Sequence, residues 1–270
     1  MPAGHYENFP VGSVLLPARL RRPVAAVYQF ARRADDFADE GDHAPGDRLA
    51  LLEGFRAELR AIQAGGPAGE PFFIELAAVI RDHRLPLEPF HDLLDAFSQD
   101  VVKKRYADFG EVLEYCRRSA NPVGRLMLCL YGAAGEPHHM AWSDAVCTSL
   151  QLVNFWQDVE IDFAKDRVYL PQDDLARFGV REAQIAARDA GGGWPALMRF
   201  QVGRARALML SGAPLATRLG GRIGLELRTI VQGGLRIAEK LDDAGGDVFR
   251  RRPVLRAWDW PVMLGRALAM

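Results

Sequence analysis

Apolar residues recur at helical spacing along most of this chain, and no segment shows the every-other-residue alternation of a half-buried strand. That pattern rules out sheet-based folds. In "RPVAAVYQFARRADDFADE", Val24, Val27, Tyr28 and Ala31 share one helix face, and Pro23 suits a first turn. "GDRLALLEGFRAELRAI" predicts a helix capped by Asp47 and ended by Gly65 and Gly66. Two amphipathic helices follow on either side of Pro86. Asp108 then caps "FGEVLEYCRRSA", which Asn121-Pro122 interrupts because proline removes an amide donor. "HMAWSDAVCTSLQLVNFWQDVEIDFAKD" is apolar on more than one side and belongs at the centre. No linker is long or polar enough to divide the chain. The expectation is one all-α domain over residues 1–270.

Composition narrows the function. The 270 residues are 49% hydrophobic and carry a formal net charge of −1, so no basic field directs the chain to nucleic acid. Cys116, Cys129 and Cys147 are odd in number and lack metal-ligand spacing, which predicts buried thiols in a reducing compartment. "MPAGHYENFP" is not a secretory leader, and no apolar run reaches the ~18 residues that span a bilayer. A cytoplasmic protein is expected, with peripheral contact to a membrane surface left open. "GGGW" is a loop without a preceding strand, so it is not a phosphate cradle.

Two acidic stretches carry the chemistry. "RRADDFADEGD" crowds five carboxylates behind two arginines, with Asp35 and Asp39 at i, i+4. "QLVNFWQDVEIDFAKDRVYLP" places Asn154, Asp158 and Asp162 at i, i+4, i+8, so on a helix they stack on one face, with Gln151 one turn earlier. Like charges at this spacing cost an isolated helix roughly 0.2–0.5 kcal/mol, and burial raises the cost. A divalent cation between the two ladders offsets both, and all-oxygen ligands suit Mg²⁺. The competing reading is a surface cluster in which Arg32 pairs with Asp36. The apolar flanks of the second ladder favour a cavity wall. Arg167 and Tyr169 follow it, and arginine offers a fork for phosphate oxygens. Lys103, Lys104 and Arg105 are either a solvated patch or a second source of positive charge. Tyr28 and Tyr115 lie in apolar patterns, where a buried hydroxyl needs a partner.

With these residues in view, "YQFARRADDFADE", "YCRRSANPVG" and "QLVNFWQDVEIDFAKDRVYLP" together resemble the squalene/phytoene synthases, the head-to-head prenyl synthases. The resemblance runs roughly from Glu7 to Arg252. "ENFPVGSVLLP", "KRYADFGEVLEYCRRSANPVGRLML" and "GGLRIAEKL" resemble one branch, the bacterial hydroxysqualene synthases of hopanoid biosynthesis. The resemblance implies an isoprenoid-synthase helical bundle around a central cavity, with two aspartate motifs facing each other across Mg²⁺ and diphosphate. It makes Asp35, Asp39, Asn154, Asp158 and Asp162 the metal ligands. Ser13, Tyr28, Arg32, Gln151, Gln157, Arg167 and Tyr169 fall at substrate-contacting positions, and Tyr115 at the tyrosine implicated in the chemistry. Gln157 stands where most condensing relatives carry arginine. Many relatives have glycine at the position of Asn121 and lack Pro122.

For the hydroxysqualene branch, the substrate implied is presqualene diphosphate. Its ionisation, rearrangement and capture by one water need Mg²⁺ but no reductant, and Tyr115 or Gln157 is the candidate to position that water. Enzymes that make presqualene diphosphate and reduce hydroxysqualene are the implied partners. Two alternatives stay open: a condensing enzyme joining two prenyl diphosphates, and a non-catalytic helical assembly factor of the same fold.

Overall fold

A computed structural model describes residues 15–66 and 69–270. Among these residues the secondary structure is helical, with a single isolated bridge between Arg105 and Val168. The first layer comprises α1 (Ala18–Asp39), α2 (Pro45–Gln63), α3 (Pro71–His83) and α4 (Glu88–Val102). Leu20, Val24, Val27, Phe30 and Ala34 form the inner face of α1 and pack on Leu52, Phe55, Leu76 and Phe90. Phe30 meets the Phe90 ring edge-on at 5.1 Å, an arrangement that adds to the gain from burial alone.

The expected Asp47 cap is displaced. Proline fixes φ near its helical value and needs no amide partner, so Pro45 starts α2 and Asp47 falls in the first turn. There its charge still favours the positive end of the helix. The other expected cap forms: Asp108 accepts the Glu111 amide at 2.9 Å and opens α5 (Phe109–Ser119). The break at Asn121-Pro122 also forms, and α6 (Asn121–Tyr131) restarts there.

The long central segment is two helices, α7 (His139–Gln157) and α8 (Val159–Ala164), joined at Asp158. Asp158 leaves helical geometry at φ −104°, ψ 14°. The i−4 bonds nonetheless continue through the joint: the Asp158 amide reaches the Asn154 carbonyl at 3.0 Å and the Asp162 amide reaches Asp158 at 2.8 Å. The second ladder is therefore kinked rather than straight. Short helices α9 (Gln172–Arg177) and α10 (Glu182–Ala186) follow, then α11 (Trp194–Gly212), α12 (Pro214–Arg218), α13 (Gly221–Asp243) and α14 (Asp259–Ala269).

The second core joins α5, α7, α11 and α13 through Tyr115, Leu152, Trp156, Leu197, Val202 and Ile237. Helix α7 is seated directly on α11. The Ser149 hydroxyl donates to the Ala205 carbonyl at 2.6 Å. A Cβ on Gly212 would lie 2.5 Å from the Trp142 carbonyl oxygen and 2.9 Å from the Val146 amide nitrogen. Backbone atoms cannot yield as a flexible side chain can. Among the described residues no helix is long and apolar enough to cross a membrane. Gly212→Ala is expected to destabilise the fold by about 1–3 kcal/mol, read as a lower denaturation midpoint; an unchanged midpoint would show that α7 and α11 do not need this close approach.

Candidate active site

Tyr28, Arg32, Asp35 and Asp39 follow one another at steps of four, three and four residues and so share one stripe of α1. Arg32 pairs with its own helix, reaching Asp36 at 2.6 Å and Glu40 at 3.0 Å. The stripe ends at the C-terminus of α1, where helix carbonyls already carry partial negative charge. Arg48 covers part of that end, donating to the Phe37, Glu40 and Gly41 carbonyls at 3.2, 3.2 and 2.7 Å. The second ladder begins near the C-terminus of α7 and passes through the joint into the first turn of α8. Gln151 and Asn154 are half-buried there.

The two ladders are brought together by the segment after α8. Arg167 donates to Asp39 Oδ1, and Lys165 Nζ reaches Asp39 Oδ2 at 3.1 Å. The Val168 amide donates to the Lys104 carbonyl at 3.0 Å, which holds this segment beside the α4–α5 connection. The basic run there is not a solvated patch. Lys103 pairs with Glu111 at 2.8 Å, Lys104 donates to the Asp100 carbonyl at 2.7 Å, and Arg105 bridges Asp166 and Glu182 at 2.9 and 2.7 Å.

Charge is unevenly neutralised in the site. Burial works to raise Asp39, yet the Arg167 hydrogen bond and the charges of Arg167 and Lys165 outweigh it, and its carboxyl is lowered. Asp162 is pushed up to about 8, by burial first and then by the charge of Asp158. Asp35 is pushed up to about 7, by burial and by Asp39 and Asp100. Its side chain keeps 40% of its surface accessible, so it can still be reached by a ligand. The site holds more negative charge than its own basic residues offset.

Two functional residues lay outside the sequence reading. Asp100, 4% exposed on α4, accepts the Tyr115 hydroxyl at 2.6 Å and the Tyr169 hydroxyl at 3.2 Å. Burial raises its carboxyl to about 6 even though Arg167 and the Tyr115 bond pull it down. Arg252, in the strap between α13 and α14, grips Asp158 with both fork nitrogens, Nη2 to Oδ2 at 3.1 Å. No local pattern marks either residue: Asp100 lies among ordinary amphipathic helix residues, and Arg252 is one of three arginines in a row. Gln157 is placed differently from the expectation of a substrate contact. It is 2% exposed, and its Nε2 donates to the Pro253 carbonyl at 2.7 Å, under the strap that carries Arg252. Ser13 lies outside the described residues.

Tyr169 stacks on Phe155 at 3.8 Å, with Tyr115 and Tyr106 at 5.6 and 5.5 Å from it. On α7, Val146 and Leu150 precede Asn154 and Asp158 at four-residue steps. Val146 and Leu150 line a small apolar pocket with Met127, Leu128, Leu219 and Leu227. Leu150 is eight residues from Asp158, about 12 Å along the helix axis. A carboxylate-rich end therefore stands over an apolar pocket on the same helix face.

The donor set bears on metal binding. Among the described residues no three His, Cys, Asp or Glu side chains close around one point. Asp39 and Asp158 turn instead to arginines. The available donors are hard oxygens with surplus negative charge, which fits a hard divalent cation.

Residues 3–259 match the family model for squalene/phytoene synthase. The chain belongs to the squalene/phytoene synthase family. A hydroxysqualene synthase from Rhodopseudomonas palustris is 37% identical over 241 residues, covering 87% of this chain and 79% of that protein. A phytoene synthase from Arthrospira platensis is 30% identical over 268 residues, covering 95% and 86%. The crystal structure of the squalene synthase HpnC from Alicyclobacillus acidocaldarius superposes with a TM-score of 0.82 at 38% identity, covering 89% of this chain and 90% of that one. The fold is thus the all-α isoprenoid-synthase bundle, and the chain is of the head-to-head prenyl synthase class.

Two outcomes follow. Burial and the charge of Asp158 raise the Asp162 carboxyl to about 8, well above the usual carboxylate range. The stability this gives is full below the unfolded value and lost as pH rises through the folded one. In metal-free protein, Asp162→Asn is therefore expected to raise Tm by a margin that grows from about pH 5 to about pH 8; thermal melts of both proteins across that range check it. Asp100→Asn leaves two buried hydroxyls with one poorer acceptor and is expected to cost about 1–3 kcal/mol, read by denaturant titration together with a fall in turnover.

Proposed function

We propose that the chain, acting as one domain over residues 1–270, is a hydroxysqualene synthase. It converts presqualene diphosphate and water to hydroxysqualene and diphosphate, between an enzyme that makes presqualene diphosphate and one that reduces hydroxysqualene. Gln157 carries the reading. The residue before Asp158 is an amide whose N–H is committed to Pro253, so the guanidinium that condensing relatives place there is missing. The relatives named hydroxysqualene synthase support the same branch.

Asp35, Asp39, Asn154, Asp158 and Asp162 would hold Mg²⁺, which when bound supplies Lewis-acid neutralisation of the departing diphosphate. Arg32, Arg167 and Arg252 give charged hydrogen bonds to diphosphate oxygens. Tyr28, Gln151 and Tyr169 line the substrate's polar end. As the C–O bond breaks, its electron pair leaves with diphosphate and a cyclopropylcarbinyl cation remains. The apolar pocket and aromatic wall shield that cation while its ring opens. Water then bonds to the cationic carbon and passes one proton to the departed diphosphate. Tyr115 donates its hydroxyl hydrogen bond to Asp100, so its oxygen is left as an acceptor that can orient this water.

One observation favours a condensing enzyme: Arg252 supplies a guanidinium beside Asp158, partly replacing the one that Gln157 lacks. Product analysis separates the two. With Mg²⁺ and no nicotinamide, purified protein is expected to turn presqualene diphosphate into hydroxysqualene and to leave farnesyl diphosphate unchanged. Consumption of farnesyl diphosphate would move the chain to the condensing branch. Asp35→Asn is expected to lower turnover by at least about 100-fold, or about 2.7 kcal/mol of barrier, with an unchanged circular dichroism spectrum; full activity would sink the ladder account.

A further inference from the structure

Helix α14 has a face that neither the core nor the site uses. Asp259, Met263 and Ala267, at i, i+4, i+8, are buried against α13. Arg236 holds Asp259 at 2.8 Å, and Gly233 leaves room for Met263, where a Cβ would come 3.3 Å from its Cε. One residue further on, Trp260, Leu264 and Leu268 form a second stripe, 45%, 40% and 71% exposed. Ten large apolar side chains are exposed among the described residues, and six of them lie between Trp258 and Met270. The exposure is therefore a patch rather than scatter.

The carboxylates nearby are already paired. Asp259 is buried and paired, Arg266 is bound to Glu239 at 2.6 Å, and Arg250 to Asp247 at 3.3 Å. In the approach to the helix, Arg251 and Arg256 have no carboxylate partner among the described residues. The Arg256 guanidinium lies over the Trp258 ring at 5.0 Å. An apolar stripe with tryptophans at its start and arginines beside it is the pattern of a helix lying in a membrane interface.

We propose that α14 seats the protein on the surface of a bilayer carrying anionic lipid headgroups. Trp260, Leu264 and Leu268 enter the acyl boundary, and Arg251 and Arg256 meet the phosphates. A second copy of the chain fits this face less well, because a two-fold contact would bring like-charged arginines together. Trp258 is six residues from Arg252, at most about 20 Å of chain, so the seated face lies close to the carboxylate end of the cavity. The inference holds whichever prenyl product the enzyme makes.

Co-sedimentation tests it, using the full chain with vesicles of phosphatidylcholine alone or mixed with phosphatidylglycerol. The protein is expected to pellet with the mixed vesicles and to bind phosphatidylcholine about tenfold less tightly or worse. The double variant Leu264→Glu/Leu268→Glu is expected to lose about tenfold or more in binding to the mixed vesicles, while keeping turnover on detergent-dispersed substrate. Wild-type protein that stays in solution with both vesicles overturns the proposal. So does a variant that pellets like wild type, or equal binding to both vesicle types. A dimer in light scattering that the double variant converts to monomer also overturns it, and assigns the face to a second copy.

Discussion

The Arg167–Asp39 pair fixes how the two halves of the site face each other. Arg167 is 8% exposed, and Asp39 ends the first helix. Their contact ties α1 to the segment that follows the second ladder, 128 residues away in sequence. The same guanidinium lies 3.4 Å from the Asp100 carbonyl, so α4 is held to the same point. Removing one partner would leave a largely buried charge uncompensated, which typically costs about 3–5 kcal/mol. Asp100 then orders Tyr115 and Tyr169, and Tyr169 stacks on Phe155 of α7. A single chain of contacts thus links the aspartates of α1 to the stacked aromatic residues of the second core.

The site is expensive to keep folded. Asp35 and Asp39 stand near the C-terminus of α1, where the backbone repels them, and Asp35 and Asp162 are held well above their ordinary range. On the proposed function this cost is what makes the site receptive: divalent cations relieve negative charge that the protein's own arginines only partly offset, and diphosphate binds through them. Arg167 and Arg252 act as resident counterions for Asp39 and Asp158.

Much of the fold was legible because helical periodicity and helix stops are local. Pro71, Asp108 and Asn121-Pro122 each mark a boundary through a backbone rule that no distant contact overrides. The kink at Asp158 was not legible, since four-residue spacing is the same in a straight ladder and in one bent at a single residue. Asp35, Asp39 and Asp162 could be picked out by spacing, and the structure places their charges within mutual influence. Asp100 and Arg252 could not, because their partners lie 15, 69 and 94 residues away. Gln157 was noticed as an unusual residue, but its hydrogen bond to Pro253 depends on where the C-terminal strap runs. Helix α14 is two-faced: its inner face packs, and its outer face is apolar.

The central claim is that the two ladders form one receptor for divalent cations and diphosphate. Calorimetric titration of metal-free protein with inorganic diphosphate, with and without Mg²⁺, tests it most directly. The account predicts saturable binding that needs both components and is lost in Asp39→Asn and in Asp158→Asn proteins that keep their helical content. Binding of equal strength without Mg²⁺, or binding indifferent to both substitutions, would contradict it.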